Sequence, residues 1–259
     1  MELEGYLRGD YIRNIIKEGK RLDNRKFDEY RNLEIEKGYV GEKACGSAFV
    51  KLGDTKVLVG ISMDAGEPYP DSPGQGVMTT STELRPIASP YFESGPPRQN
   101  SIELARVIDR GIRESGAIPT DKLAINDEKV WVVYIDIHIL DNGGNLIDAG
   151  GIAAISALLD TRMPKFEDDT IIRGEWDGKL PIECTPIPCT VAKISDQLLL
   201  DPTQDEEYAM DTRLTIATTD TINAMQKGGG FGTLTDKDVD DAVELAFSKG
   251  NEIRKLVEG

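Results

Sequence analysis

The chain has 259 residues, 39% of them hydrophobic, enough to bury a core in one large domain or two small ones and too many for a disordered chain. Its 46 acidic residues outnumber 30 basic ones, a formal net charge of −16, so a polyanion could be held only by a local basic patch or with a partner's charge. No apolar run suits a signal peptide or approaches the ~20 residues of a membrane span, and the expectation is a soluble, cytoplasmic protein.

Residues 6–18 place Tyr11, Ile12, Ile15 and Ile16 at helical spacing, which predicts a short amphipathic leading helix. A charged arm, KRLDNRKFDEYR, follows. From Gly46 the text becomes alternating and β-branched around Gly53-Asp54, the pattern of two strands joined by a tight hairpin. Residues 64–100 are rich in proline and glycine and read as loops around a strand near Val77–Leu84. SIELARVIDRGIRES is helical, with Ser101 as the expected cap and Leu104, Ile108 and Ile112 as a buried stripe.

KVWVVYIDIHIL alternates, with Val133, Ile135, Ile137 and Ile139 on one face and Tyr134, Asp136 and His138 on the other. Asp141-Asn142-Gly143-Gly144 is a turn, and the Ala/Gly-rich NLIDAGGIAAISALLDTR reads as a closely packed helix. Charged and glycine-bearing residues from Lys165 to Lys179 read as a break. CTVAKI, QLLLD, LTIATT and INAMQKGG then supply the second half's sheet. A last helix begins at Thr235, which has capping-box spacing to Asp238, and buries Val239, Val243, Ala246 and Ile253. Strands precede a helix in each half, so two α+β lobes are expected, divided near residues 165–178.

Much common chemistry is missing. His138 is the sole histidine and has no nucleophile context, and there is no Walker loop, zinc signature or dinucleotide fingerprint. Gly228-Gly229-Gly230-Phe231-Gly232 lacks a following Lys-Ser/Thr and reads as a flexible turn. Cys45, Cys184 and Cys189 lack metal-ligand spacing and read as small buried hydrophobes. Neither a metal nor a cofactor is expected.

Several segments together resemble the ribonuclease PH family: the arm Arg21-x-Asp23-x-Arg25 with Tyr30-Arg31, the hairpin GSAFVKLGDTKVL, and SIELARVIDRGIRES followed by KVWVVYIDIHILDNGGNLIDAGG. LLLDPTQDEE and MQKGGGFGTLTDKDVDDAVELA extend the likeness over nearly the whole chain from about residue 20, closest to the non-catalytic subunit of the archaeal exosome. The resemblance implies an α+β fold of two β-α-β lobes (the ribosomal protein S5 domain 2-like type) in a six-membered ring. It divides the chain into an N-terminal helix (1–20), lobe 1 (21–170) and lobe 2 (171–259). The implied partners are a catalytic RNase PH-like subunit, paired as a trimer of heterodimers, RNA-binding cap subunits and single-stranded RNA, with no membrane. The implied reaction of the ring is 3′-to-5′ phosphorolysis of RNA, releasing nucleoside diphosphates.

Against that pattern two sites are altered. Active members carry roughly D-G-G-T-R where the attacking phosphate binds; here Asp148-Ala149-Gly150-Gly151-Ile152 puts isoleucine at the arginine position, and Asp148 is expected to cap the helix. The family's catalytic aspartate falls on Arg213, with Asp211 two residues earlier. No catalytic residue is therefore expected, the alternative being a self-sufficient homohexameric exoribonuclease that uses Asp211.

The positive feature is Arg106, Arg110 and Arg113 at i, i+4 and i+7, a row suited to the phosphates of a single strand. Glu103, Asp109 and Glu114 lie close enough along the helix to pair with them, and from the residues alone a solvated ion-paired face is the favoured reading. The resemblance turns this toward RNA contact for Arg106 and Arg110, with Arg113 equally able to pair with Asp109 and Arg98 a lesser candidate. It assigns the basic arm of Lys20, Arg21, Arg25 and Lys26 mostly to structure or subunit contact.

Overall fold

The computed structural model describes residues 2–259, with side chains described from residue 8. Strands β1 (Leu33–Lys37), β2 (Gly46–Leu52), β3 (Thr55–Gly66), β4 (Val77–Leu84) and β5 (Val130–Asp141) form one sheet in the order β1-β2-β3-β5-β4, antiparallel except for the β4–β5 pair. The β2–β3 hairpin turns at Gly53, whose φ of 57° suits glycine. Its partner β5 sets Ile137 opposite Val59 and Ile135 opposite Ile61, so the alternation expected of β5 becomes the floor of the core.

Helices α2 (Gln99–Ser115) and α3 (Leu146–Asp160) pack on this sheet, α3 against β2 and β3 and α2 against β4. The second sheet, in the order β11-β10-β8-β9, is wholly antiparallel: β8 (Ile187–Ile194), β9 (Gln197–Leu200), β10 (Thr212–Thr218) and β11 (Ile222–Gly228). It meets α2 and α3 and is also packed by α5 (Asp236–Glu258), so buried residues of both halves form one continuous core. Helix α3 lies in its middle, which is why it carries alanine and glycine instead of a polar face. A Cβ on Gly150 would come within 2.7 Å of Ile108 Cδ1 and one on Gly151 within 2.5 Å of Pro188 Cγ. The glycine pair lets α2 and β8 approach one helix.

Helix α1 (Glu2–Lys17) docks through Ile12 and Ile16 onto Ile194, Leu199 and Ala209, a small second core shared with the short α4 (Gln204–Ala209), while Tyr11 stays exposed. Thr203 caps α4 in a capping box with Glu206, and Thr235 caps α5 with Asp238 as its spacing implies. Ala246 and Ile253 of α5 are buried, with Val239 and Val243 partly so. No described helix is long and apolar enough to cross a membrane.

Four expectations are corrected. The stretch 165–179 is not a break: β6 (Arg162–Glu167) and β7 (Thr170–Lys179) form a separate two-stranded hairpin in which the Arg162 guanidinium lies over the Trp176 ring. Ser101 is not a cap: α2 starts earlier, and the buried Ser101 hydroxyl donates to the Thr82 carbonyl, tying α2 to β4. Of the cysteines only Cys189 is fully buried. The glycine run after β11 is a turn, but a packed one: Gly232 N–H donates to Asp211 O, and Cβ atoms on Gly230 and Gly232 would strike the Asp211 backbone.

The charged arm before β1 is a lock between the halves. Arg21, 2% exposed, donates to both carboxylate oxygens of Glu206 (2.8 and 2.6 Å) and to the carbonyls of Leu200 and Asp201. Arg25 and Arg31 converge on the buried carboxylate of Asp201.

Candidate functional site

Helix α2 carries Arg106, Arg110 and Arg113, with Arg98 just before it, and the structure gives them different surroundings. Glu103, which could have paired with Arg106 one turn on, instead takes Arg213 of β10 at 2.7 Å. Asp109 accepts from Arg113 (2.9 Å) and from Thr80 of β4, and the Arg113 guanidinium also donates to the Met78 carbonyl. These two carboxylates are thus drawn off to strands on either side of the helix. What remains is Arg106, with no hydrogen bond or ion pair among the described residues, and Arg110, which donates to the neutral Gln226 of β11 at 3.3 Å.

Both guanidiniums are exposed and line one open groove with Gln99, Ile102, Glu103 and Gln226. Two uncompensated positive charges at i and i+4 form a local basic strip on an acidic protein. Arg113 sits at the β4 side of the helix, outside that groove. Arg98, the residue before α2, is exposed and pairs with Glu93 at 2.5 Å; such a solvated pair opens at little cost. Gln226 went unseen in the sequence because only the packing of α2 on β11 brings it within reach of a residue 116 positions away.

The altered phosphate position is closed. Ile152 is 0% exposed in the core, so no anion could reach it without opening the fold. Asp148 does not cap α3 and is corrected here: the residue before the helix is Asn145, and the Asp148 carboxylate instead accepts from the Tyr30 hydroxyl, Asn145 Nδ2, and both the backbone N–H and hydroxyl of Thr190 on β8. It pins arm, α3 and second sheet together.

Burial is the main influence on Asp148 and outweighs those donors, raising its carboxyl from 3.8 to about 6. Because the folded value lies above the unfolded one, this group's contribution to stability is fully present below pH 4 and is lost as pH rises through 6. A shift of that size is worth roughly 3 kcal/mol. Asp148→Asn is therefore expected to gain on the wild type as pH rises from 4 to 7, in urea unfolding followed by circular dichroism. A stability difference independent of pH over that range would show the carboxyl is not held neutral.

Asp211 is engaged on both oxygens, accepting from Arg13 of α1 (3.1 Å) and from the Ser195 backbone N–H (2.9 Å). His138 is half exposed on the outer face of the first sheet, 4.0 Å from Glu83. No group of three His, Cys, Asp or Glu among the described residues is arranged to hold a metal ion.

This arrangement of two β-α lobes is that of a known class. Residues 29–164 match the first domain of the 3′ exoribonuclease family (RNase PH) and residues 184–249 its second domain; the chain belongs to this family. Among curated relatives, an exosome complex component Rrp42 of Thermococcus gammatolerans is 52% identical over 264 residues, covering 99% of this chain and 96% of that protein. The Rrp42 of Pyrococcus abyssi is 54% identical, covering 96% of this chain and 92% of its own length. In three dimensions the chain is similar to one from the Archaeoglobus fulgidus exosome with RNA bound to the active site (TM-score 0.91, 46% identity, 98% of both chains). It is also similar to one from an archaeal exosome core (TM-score 0.88, 42% identity, 100% and 99% covered).

Proposed function

We propose that this chain is a non-catalytic subunit of an archaeal exosome ring, holding single-stranded RNA on Arg106 and Arg110 while a catalytic RNase PH-like paralogue performs the phosphorolysis. The observation that carries the RNA contact is the pair of guanidiniums left without a carboxylate partner, beside a helix whose Glu103 and Asp109 are engaged elsewhere. Two further observations support the absence of chemistry: the phosphate-arginine position is a core isoleucine, and Asp211, two residues before the catalytic position, is tied by Arg13 and a backbone N–H. The relatives' designation as exosome components and the archaeal exosome cores among similar structures support membership of an exosome ring. In this reading the ring is built as three heterodimers and joined by RNA-binding cap subunits. A net charge of −16 suits docking to more basic partners and the cytoplasm is the compartment that fits.

The competing reading is a self-sufficient exoribonuclease using Asp211. Purified alone and given single-stranded RNA, magnesium and phosphate, the chain is expected to release no nucleoside diphosphate; release should appear once the paralogue is added. Diphosphate production by this polypeptide alone would overturn the proposal.

A further inference from the structure

Beside the arginine groove lies a second cleft of about 320 Å³, open to solvent. That is at the lower end of the space that holds a small ligand, roughly 300–1,000 Å³, and enough for a single base. Its polar and aromatic lining comes from several elements, among them Tyr91 and Phe92 from the loop between β4 and α2, Asn100 and Glu103 from α2, Tyr208 from α4, and Arg213 from β10. Three aromatic residues line it together with the amides of Asn100, Asn142 and Gln204, on a protein with only 6% aromatic residues.

The charges sort the two hollows. Arg213 is neutralised by Glu103 at 2.7 Å, and Glu207, which also lines the cleft, adds a carboxyl rather than a cation. A phosphate finds no net positive charge there, whereas a flat neutral ring with hydrogen-bonding edges finds aromatic side chains and amides. Phosphates belong on Arg106 and Arg110 and the base in the cleft. The two hollows share Glu103, and from Glu103 to Arg110 the helix rises only about 10 Å.

We propose that the cleft of Tyr91, Phe92 and Tyr208 receives a base of the single-stranded RNA whose phosphates lie on Arg106 and Arg110, giving this subunit a stacking site of its own. The inference rests on the RNA contact proposed above and names how the strand is held beyond its backbone. Stacking tolerates every base, so the site grips RNA without choosing its sequence.

The test uses the ring reconstituted with a catalytically silenced paralogue and short oligoadenylate. Phe92→Ala and Tyr208→Ala are each expected to weaken binding about fivefold to tenfold at fixed salt, with the salt dependence of affinity unchanged. Tyr208→Phe should bind like the wild type, and an abasic oligomer should ignore all three changes. If Arg106→Ala with Arg110→Ala weakens binding while the aromatic variants do not, the stacking site is wrong and the phosphate contact stands. If that arginine pair has no effect either, both readings fall. Should an aromatic variant fail to fold, 4-thiouridine RNA crosslinked to the wild-type ring decides: attachment at Tyr91, Phe92 or Tyr208 supports the site. Attachment confined to residues 106–113, or a cleft that the paralogue covers and RNA never reaches, overturns it.

Discussion

Asp201→Ala is expected to lower the unfolding free energy by roughly 3–5 kcal/mol, the range for removing one partner of a buried ion pair. The Asp201 side chain is fully buried and its carboxylate takes five donors: Arg31 through its backbone N–H (2.9 Å), Nε (2.9 Å) and Nη2 (2.7 Å), Arg25 Nη1 (3.0 Å) and Asn145 Nδ2 (2.8 Å). Alanine would leave the nearly buried Arg31 guanidinium without its paired carboxylate, and Arg25 with Asp23 alone, at the seam where the arm, the β5–α3 turn and the second sheet meet. At about 2–4 °C per kcal/mol for a chain of this size, the melting temperature should fall by about 10 °C. Burial pushes the Asp201 carboxyl up, but the hydrogen bonds and charge of Arg31 more than offset this and hold it below its usual value. A depressed carboxyl contributes stability above its unfolded value, and that contribution is lost as pH falls through the lower folded value. The gap between wild type and variant should therefore be full at neutral pH and close only in acid. A melting temperature within 2 °C of the wild type's would show that the network is not a lock.

In the assembled ring, Arg106→Glu combined with Arg110→Glu is expected to slow RNA degradation and weaken RNA binding by roughly 10- to 100-fold, taking about 1 kcal/mol for each exposed contact to phosphate. Neither side chain carries a fold contact that its loss would break: Arg106 has no partner among the described residues and Arg110 has only Gln226. The ring should therefore elute unchanged by size, and the far-ultraviolet spectrum should not move. Arg113→Ala serves as the contrast. Its guanidinium is engaged by Asp109 and the Met78 carbonyl, so its removal should touch stability by at most about 1 kcal/mol and leave RNA affinity within about twofold. Equal loss of affinity in Arg113→Ala and in the double variant would mean that the whole helix face, and not a sorted pair, meets the RNA.

The strands that could be read in advance were those whose periodicity is enforced by a single buried face. β5 alternates because one side lies on the core, and β4 spans Val77–Leu84 as its flanking prolines and glycines suggested. The α5 cap was legible because a capping box is wholly local. Tertiary partners were not. Ser101 and Asp148 each looked like caps, since serine and aspartate near a helix start usually are; both are buried side chains bonded to a neighbouring strand instead. The hairpin β6–β7 was hidden by its exposed charges and by Gly174 and Gly178, which break alternation without ending a strand.

The arginine row was visible as spacing, but its meaning was not. Which guanidiniums are free depends on Glu103 finding Arg213 across 110 residues and Asp109 finding Thr80, neither of which leaves a mark in local sequence. The same holds for the basic arm, whose Arg21, Arg25 and Arg31 turn inward to Glu206 and Asp201 and so leave the surface its acidic balance.

The most direct measurement is the salt dependence of single-stranded RNA affinity in the reconstituted ring, with and without Arg106→Ala and Arg110→Ala. Two phosphates released from two guanidiniums should make the log–log slope shallower by about 1.4, at roughly 0.7 per contact on a single strand. Identical slopes and affinities for the two rings would contradict the account at its centre.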